Sequence, residues 1–277
     1  MPPGRHAAGR EAHDRPDPRL PSVTRQAGHA GRMTSAPYAN SFGAAADAYE
    51  RGRPGYPDAA VDWLLPSGAR LVADVGAGTG KFTRSLVGRA AEVVAVEPDR
   101  AMRERLTAVL PGVRTLAGSG ESIPLPDGSA DAVTFAQAWH WVDPAQGAHE
   151  AARVLRPGGV LGLVWNVRDE TRPWAARISA ILAQPESRAS VQSAPVVGAP
   201  FDPDAVEHER FPWVHEQDRA AFLDMVASRS YVIVLPPDER TALLDRVRRA
   251  LDEDPETAGR ATIPVGYTTY AHRSVRP

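Results

Sequence analysis

Leu71-Val72-Ala73-Asp74-Val75-Gly76-Ala77-Gly78-Thr79-Gly80 decides the fold of this chain. The first half is a short apolar run that reads as a buried strand, and the second is a glycine-rich turn that opens a helix. A side chain in such a turn would block a ligand from the helix N-terminus, where unpaired N–H groups collect. The spacing is G-x-G-x-G, with Asp74 two residues before the first glycine. A dinucleotide fingerprint, G-x-G-x-x-G, would place its third glycine at position 81, which is lysine.

The next apolar run, Val93-Val94-Ala95-Val96, ends on an acid, Glu97, 17 residues after Gly80. An acid at that strand tip can accept both hydroxyls of a ribose, and each hydrogen bond to a charged acceptor is worth about 1.5–3 kcal/mol. Glu97 therefore points to an adenine nucleoside cofactor without deciding which.

Working outward, strand-like and helical stretches alternate. The pattern predicts strands at 71–75, 92–97, 113–117, 131–136 and 160–166, and helices at 81–89, 99–109 and 144–156. Such alternation marks parallel βαβ units and a doubly wound α/β sheet. Before it, Phe42, Ala45, Ala46 and Tyr49 suggest a short amphipathic helix, and Pro57 opens another with Val61, Leu64 and Leu65 on one face. After it come a helix near 174–183, a Pro/Ser/Ala-rich connection from 185 to 204, and a strand near 206–214. Helices near 218–229 and 237–251 and a strand near 261–271 close the pattern. Residues 1–36 are rich in Pro, Gly, His and Arg and are expected to form a disordered tail. The expected domain is 37–277, with lid helices at 37–66, a cofactor-binding core at 71–166, a variable lid and substrate region at 167–205, and C-terminal strands and helices at 206–277.

Composition narrows the chemistry. Of the 277 residues, 43% are apolar and 24% charged, which suits a packed core. There is no cysteine, hence no disulfide framework, thiolate nucleophile or Cys-ligated metal, and the eight histidines show no ligand spacing. No metal is expected. A net charge of −2 with interspersed signs argues against nucleic acid as a partner, and the lack of a long apolar run argues against a membrane span. The expected location is cytoplasmic.

The second half adds Gly118-Ser119-Gly120-Glu121, then LPDGSAD at 125–131, QAWHW at 137–141 and LRPGG at 155–159, with RPGYP at 53–57 and VEP at 96–98 in the first half. Together with DVGAGTG at 74–80, these ordered motifs resemble the small-molecule class I S-adenosylmethionine-dependent methyltransferases, in particular the branch of trans-aconitate methyltransferase-like proteins. The likeness covers roughly residues 42–166. It implies a seven-stranded, mostly parallel sheet of order 3-2-1-4-5-7-6 with the seventh strand antiparallel.

The resemblance also implies a site. Asp74, Gly76, Gly78, Thr79 and Gly80 would surround the methionine part of S-adenosylmethionine, and Glu97 its ribose. Pro98 and Met102 would flank the adenine, with Ser119, Gly120 and Glu121 along its edge. Many relatives carry an acid where this chain has Ser119, and a neutral hydrogen bond there is weaker than a charged one. Gln137 and Ala138 would lie near the transferring methyl, while Tyr49 and Arg53 belong to the part that closes over the cofactor. The product would be S-adenosylhomocysteine.

A sulfonium methyl is already activated, so the protein's tasks are alignment and water exclusion. A carboxylate acceptor would need no base; a phenol, alcohol or carbon acid would, and His140 is the candidate base or substrate contact. Trp139, Trp141, Trp165 and Trp174 are expected to gather near the carboxyl ends of the fourth and fifth strands as an apolar pocket. Arg51, Arg53, Arg168 and Arg172 are candidate partners for an anionic acceptor. The expected partner is a small-molecule methyl acceptor, and the assembly a monomer or homodimer. The alternatives are a protein that binds S-adenosylmethionine without turnover and an NAD-dependent oxidoreductase, which should show the G-x-G-x-x-G absent here.

Overall fold

The computed structural model describes residues 53–182 and 195–277. The expectations for residues 1–36 and for the helix carrying Tyr49, along with Arg51, lie outside these residues. Helix α1 (Asp58–Leu64) follows Pro57, whose fixed backbone suits a helix start. Strands and helices then alternate: β1 (Leu71–Val75), α2 (Lys81–Leu86), β2 (Glu92–Val96), α3 (Arg100–Val109), β3 (Arg114–Leu116), β4 (Ala130–Ala136), α4 (Pro144–Val154) and β5 (Leu155–Arg168). Beyond them lie α5 (Pro173–Ile181), β6 (Glu207–Asp218), α6 (Arg219–Ala227), the short α7 (Ser230–Ile233), α8 (Pro237–Glu253) and β7 (Thr262–Val275).

All seven strands join one sheet in the order β3-β2-β1-β4-β5-β7-β6. Strands β1 to β5 pair in parallel, and β7 runs antiparallel to both β5 and β6. The predicted fold class and strand order are those observed.

Period-two alternation splits the buried strand residues between two layers. Ala73, Val75, Val133, Phe135, Leu161 and Leu163 face α4 and the segment around Val197 and Phe201. Val72, Val93, Ala132, Val160 and Val164 face the opposite way, onto α1 and α2 through Leu64, Phe82 and Leu86. A further core forms where α5, α6 and α8 cover Ile263, Val265 and Tyr267 of β7.

Three differences from the sequence reading have local causes. Leu155-Arg156-Pro157-Gly158-Gly159 belongs to the start of β5 rather than to the end of a helix and a turn. Leu155 pairs with Ala130 and Val160 with Ala132, so the intervening residues bulge out of the ladder at Gly158, whose φ is +76°. Strand β6 runs longer than its apolar pattern because it lies at the sheet edge, exposed along most of its length, and β7 runs on to Val275 because its last residues pair with the start of the β5 ladder at Val160. Its polar residues and Pro212 suit an edge that must resist further pairing. Finally, α7 breaks away from α6 after Ser228, a step that the continuous pattern from 218 to 229 did not show.

Candidate active site

The glycine turn sits at the carboxyl end of β1, at the edge where doubly wound sheets bind ligands. The N–H groups of Gly76 and Ala77 both reach the Val96 carbonyl, at 2.8 and 3.2 Å, which ties the turn to β2. Gly76, Gly78 and Gly80 have φ of +70°, +56° and +90°, a region that L side chains avoid. Each also has its own spatial role. A Cβ on Gly76 would lie 2.6 Å from that of Ala138, and one on Gly80 would press on Leu106 and Leu110. At Gly78 a Cβ would meet nothing within 4 Å, so there the turn faces open space.

Glu97 borders that space. It is 7% exposed, and its carboxylate accepts the Gly78 N–H at 2.8 Å through Oε2 and the Asp99 N–H at 2.9 Å through Oε1. Burial raises its pKa, and the two backbone N–H groups oppose that shift. Asp74 behaves differently from the expectation that it faces the ligand. It is fully buried, accepting the hydroxyls of Thr83 at 2.6 Å and Thr134 at 3.4 Å, and so knots β1 to α2 and β4. Burial raises its pKa to about 7. Thr79 is buried within the turn as well.

On the far side, Pro98 is exposed, while Met102 is buried on α3, where Asp99 caps the helix by accepting the Met102 N–H. Ser119 and Ser122 exchange backbone hydrogen bonds that close a tight loop after β3. Gly120 is there for packing, since a Cβ would lie 2.6 Å from Val142. The Glu121 carboxylate accepts the Asp143 N–H at 3.0 Å, just before α4. Ser119, Gly120 and Glu121 therefore form one loop braced against the start of that helix.

A cavity of about 70 Å³ opens beside the turn, lined by Arg53, Pro54, Tyr56, Lys81, Gln137, Asn166, Arg168, Met225, Arg229 and Tyr267. It gathers the RPGYP segment, the residue following Gly80 and the ends of β4 and β5. Asn166 holds this junction together: its Nδ2 donates to the Gly55 carbonyl at 2.8 Å, its Oδ1 accepts Thr269, and its carbonyl accepts Gln137 Nε2. Gln137 has φ +56°, alone among the described non-glycine residues in taking a positive φ, and its neighbour Ala138 touches Gly76. A left-handed glutamine costs of order 1–3 kcal/mol, and such outliers cluster at ligand sites.

His140 lies on a one-turn 3₁₀ segment after β4 with much of its surface open. Surrounding protein disfavours its charged form, the Arg53 guanidinium adds to that, and together they lower its pKa to about 4. The imidazole is thus neutral at pH 7, the form in which it can accept a proton.

The four tryptophans do not form one pocket. Trp139 and Trp165 are buried in the core beneath the sheet, the first edge-to-face with Phe135 at 4.8 Å and the second against His272 at 5.7 Å. Trp174 is fully buried against Phe222 in the core around β7, and Trp141 is 43% exposed beside His140. Large apolar area drives such residues into a core, and a sequence window does not show which core. Of the arginines singled out, Arg53 and Arg168 reach the cavity, whereas Arg172 pairs with Glu256 at 3.1 Å. The sequence reading missed Arg229, Tyr267 and Met225, which arrive from elements far along the chain. The available signal was Arg229 itself, an arginine that follows the apolar run Met225-Val226-Ala227.

Among the described residues no cluster of three or more His, Cys, Asp or Glu side chains could hold a metal ion, and no helix is long and apolar enough to cross a membrane. Residues 73–163 match the family model of the methyltransferase domain. The chain is 48% identical over 234 residues to an uncharacterized methyltransferase of Mycobacterium tuberculosis, a match spanning 84% of this chain and 95% of that protein. It is 42% identical over 141 residues to an uncharacterized methyltransferase-like protein of Schizosaccharomyces pombe, covering 49% and 55%. A candidate type II methyltransferase from Anaeromyxobacter dehalogenans has a similar structure, with a TM-score of 0.59, 24% identity, and coverage of 80% of this chain and 97% of that one.

Proposed function

This chain belongs to the S-adenosylmethionine-dependent methyltransferases, and on that premise we propose that it methylates a small molecule held at the carboxyl edge of β4 and β5. The observation that carries this reading is the cavity itself. Its walls include Lys81, directly after the glycine turn, and Gln137, whose neighbour packs on Gly76, so an acceptor there would border the cofactor cradle.

The cradle fits the cofactor. The open face at Gly78 is the space a Cβ would fill, and the Glu97 carboxylate beside it suits a ribose diol. In this reading Gly76, Gly78, Thr79 and Gly80 enclose the methionine part, Pro98 and Met102 flank the adenine, and Ser119, Gly120 and Glu121 edge it. Asp74 supports the turn from within. When bound, S-adenosylmethionine supplies a sulfonium-activated methyl group, so its displacement needs no nucleophile from the protein. The chain's own residues align the acceptor and keep water out, which for well-oriented partners is worth about 7–11 kcal/mol. A carboxylate acceptor, which arrives already ionised, would need no base, whereas a phenol would need one, for which His140 is the candidate. Kinship with trans-aconitate methyltransferase-like proteins is part of this proposal, as are a small-molecule partner and a monomeric or homodimeric enzyme.

Calorimetric titration with S-adenosylmethionine, S-adenosylhomocysteine and NADH is the test, followed by methyl transfer from labelled cofactor to a panel of carboxylic acids and phenols. Binding of the first two ligands with turnover of a carboxylic acid supports the reading. Binding without turnover of any panel member favours a non-catalytic cofactor-binding protein, and binding of NADH alone overturns the reading.

A further inference from the structure

The RPGYP segment is seated on the sheet by a relay of hydrogen bonds that can run in only one direction. Thr269 of β7 stands opposite Asn166 of β5 and, on its other side, opposite Phe211 of β6, one diagonal step from Trp213. The Trp213 Nε1–H donates to the Thr269 hydroxyl at 2.9 Å, and that hydroxyl donates to Asn166 Oδ1 at 2.6 Å. An indole can only donate, so the hydroxyl accepts from it and gives its own proton to the amide oxygen. The amide then presents its Nδ2 to the Gly55 carbonyl, which can only accept, at 2.8 Å. Thr269 is fully buried, where a polar group left unmet is destabilising, so the relay fixes the Asn166 amide in this orientation.

Pro54 and Pro57 have no N–H, so segment 53–57 has few backbone donors with which to fasten itself, although Arg53, Pro54 and Tyr56 wall the cavity. On its other side, the Asn166 backbone carbonyl holds Gln137 Nε2 at 3.0 Å, while the Val164 carbonyl holds the Gln137 N–H at 2.9 Å. These two bonds from β5 grip the left-handed Gln137, whose neighbour Ala138 lies against Gly76 of the glycine turn. Asn166 therefore stands between the cavity wall and the turn, bonded towards both. We propose that Asn166 is a positioning residue through which an occupied cofactor turn tightens segment 53–57 over the cavity, with Thr269 and Trp213 setting its amide. This inference rests on the methyltransferase reading above and deepens it. The acceptor then meets a finished wall only after the cofactor is in place, which aligns both partners before the methyl moves.

Hydrogen exchange at the Gly55 and Tyr56 amides, with and without saturating S-adenosylhomocysteine, tests this, alongside calorimetric titration of the same ligand. In the wild type the ligand should slow exchange about fivefold or more, the low end of ordinary coupling between sites. Asn166→Asp keeps an acceptor for Thr269 but sets a carboxylate oxygen against the Gly55 carbonyl. There the ligand should slow exchange less than about twofold, and by reciprocity its affinity should fall by up to the factor lost. Thr269→Val, which frees the amide to turn over, should act in the same direction and serves should the aspartate variant not fold. Thr269→Ser restores the hydroxyl and should restore the wild-type response, whereas a role confined to packing would leave serine, which lacks the methyl group, no better than valine. Equal slowing in the wild type and in Asn166→Asp overturns the proposal, since the ligand would then hold the segment directly. Exchange that ignores the ligand in the wild type overturns it too. Failure of the wild type to bind S-adenosylhomocysteine at all would instead defeat the methyltransferase reading beneath it.

Discussion

Glu97 shows at the scale of a single residue how the cradle is built before any ligand arrives. Its carboxylate already holds Gly78 and Asp99 by their N–H groups, so the side chain proposed to meet a ribose is fixed in place. Replacing it with alanine is expected to weaken S-adenosylhomocysteine binding by about 1.5–3 kcal/mol, measured by calorimetry; unchanged affinity would remove Glu97 from the site. Two other buried groups make stability depend on pH in opposite senses. His272 is held neutral by burial, its pKa lowered to about 4, so between pH 4 and 6.5 only the unfolded chain takes up that proton. Its contribution to stability is lost as pH falls through that window. Asp74, with its pKa raised to about 7, keeps its proton in the folded state while the unfolded chain has released it, so its contribution is lost as pH rises towards 7. Melting temperature followed from pH 4.5 to 7 should tilt downward with rising pH in His272→Phe and upward in Asp74→Asn, relative to wild type. A shift of both profiles in one direction would contradict this assignment. The glycines and Glu97 were legible in the sequence because backbone conformation and a strand tip restrict which residues can stand there. The tryptophans were not, because burial selects them for size without specifying the layer.

Elements join the site through their ends. Helix α4 starts at Asp143, whose carboxylate accepts the N–H groups of Ala145 and Gln146, both at 3.0 Å, while its own N–H is held by Glu121. The backbone N–H of the cap residue thus ties the loop carrying Ser119 and Gly120 to the helix start. Asp143→Ala should cost about 1 kcal/mol in urea unfolding. Glu121→Ala, which removes the acceptor of the Asp143 N–H, should speed hydrogen exchange in the 118–122 loop; unchanged exchange would show that loop and helix are independent. Arg153, near the other end of α4, donates to the carbonyls of Ile123 and Leu125 and braces the same loop from below. Element types and most boundaries could be read from periodicity, since two buried faces and interposed amphipathic helices leave a repeating signature. LRPGG was misplaced because a bulge at a strand start has the same residues as a turn. The break between α6 and α7 was hidden because the apolar pattern continues across it while the backbone changes direction.

The whole molecule divides its burial between the two faces of the parallel strands and a separate core around β7, α5, α6 and α8. Trp174 is a fully buried member of that last core, and Trp174→Ala should cost about 3–5 kcal/mol in equilibrium denaturation. Because α5 and α6 also position Ser179, Met225 and Arg229, the variant should lose acceptor binding at denaturant concentrations that still permit cofactor binding; simultaneous loss would mean that the two cores unfold as one. Order in the sheet differs from order in the chain: β7 lies between β5 and β6, although it comes after both. A ribosome making this protein therefore releases β6 some forty residues before its partner strand exists, with the flank of β5 equally bare. Until β7 slots into place, both edges are open to any passing strand. Slowing synthesis of the 219–261 segment with rare codons should therefore lower the soluble yield in cells, and an unchanged yield would show that the open edges do no harm.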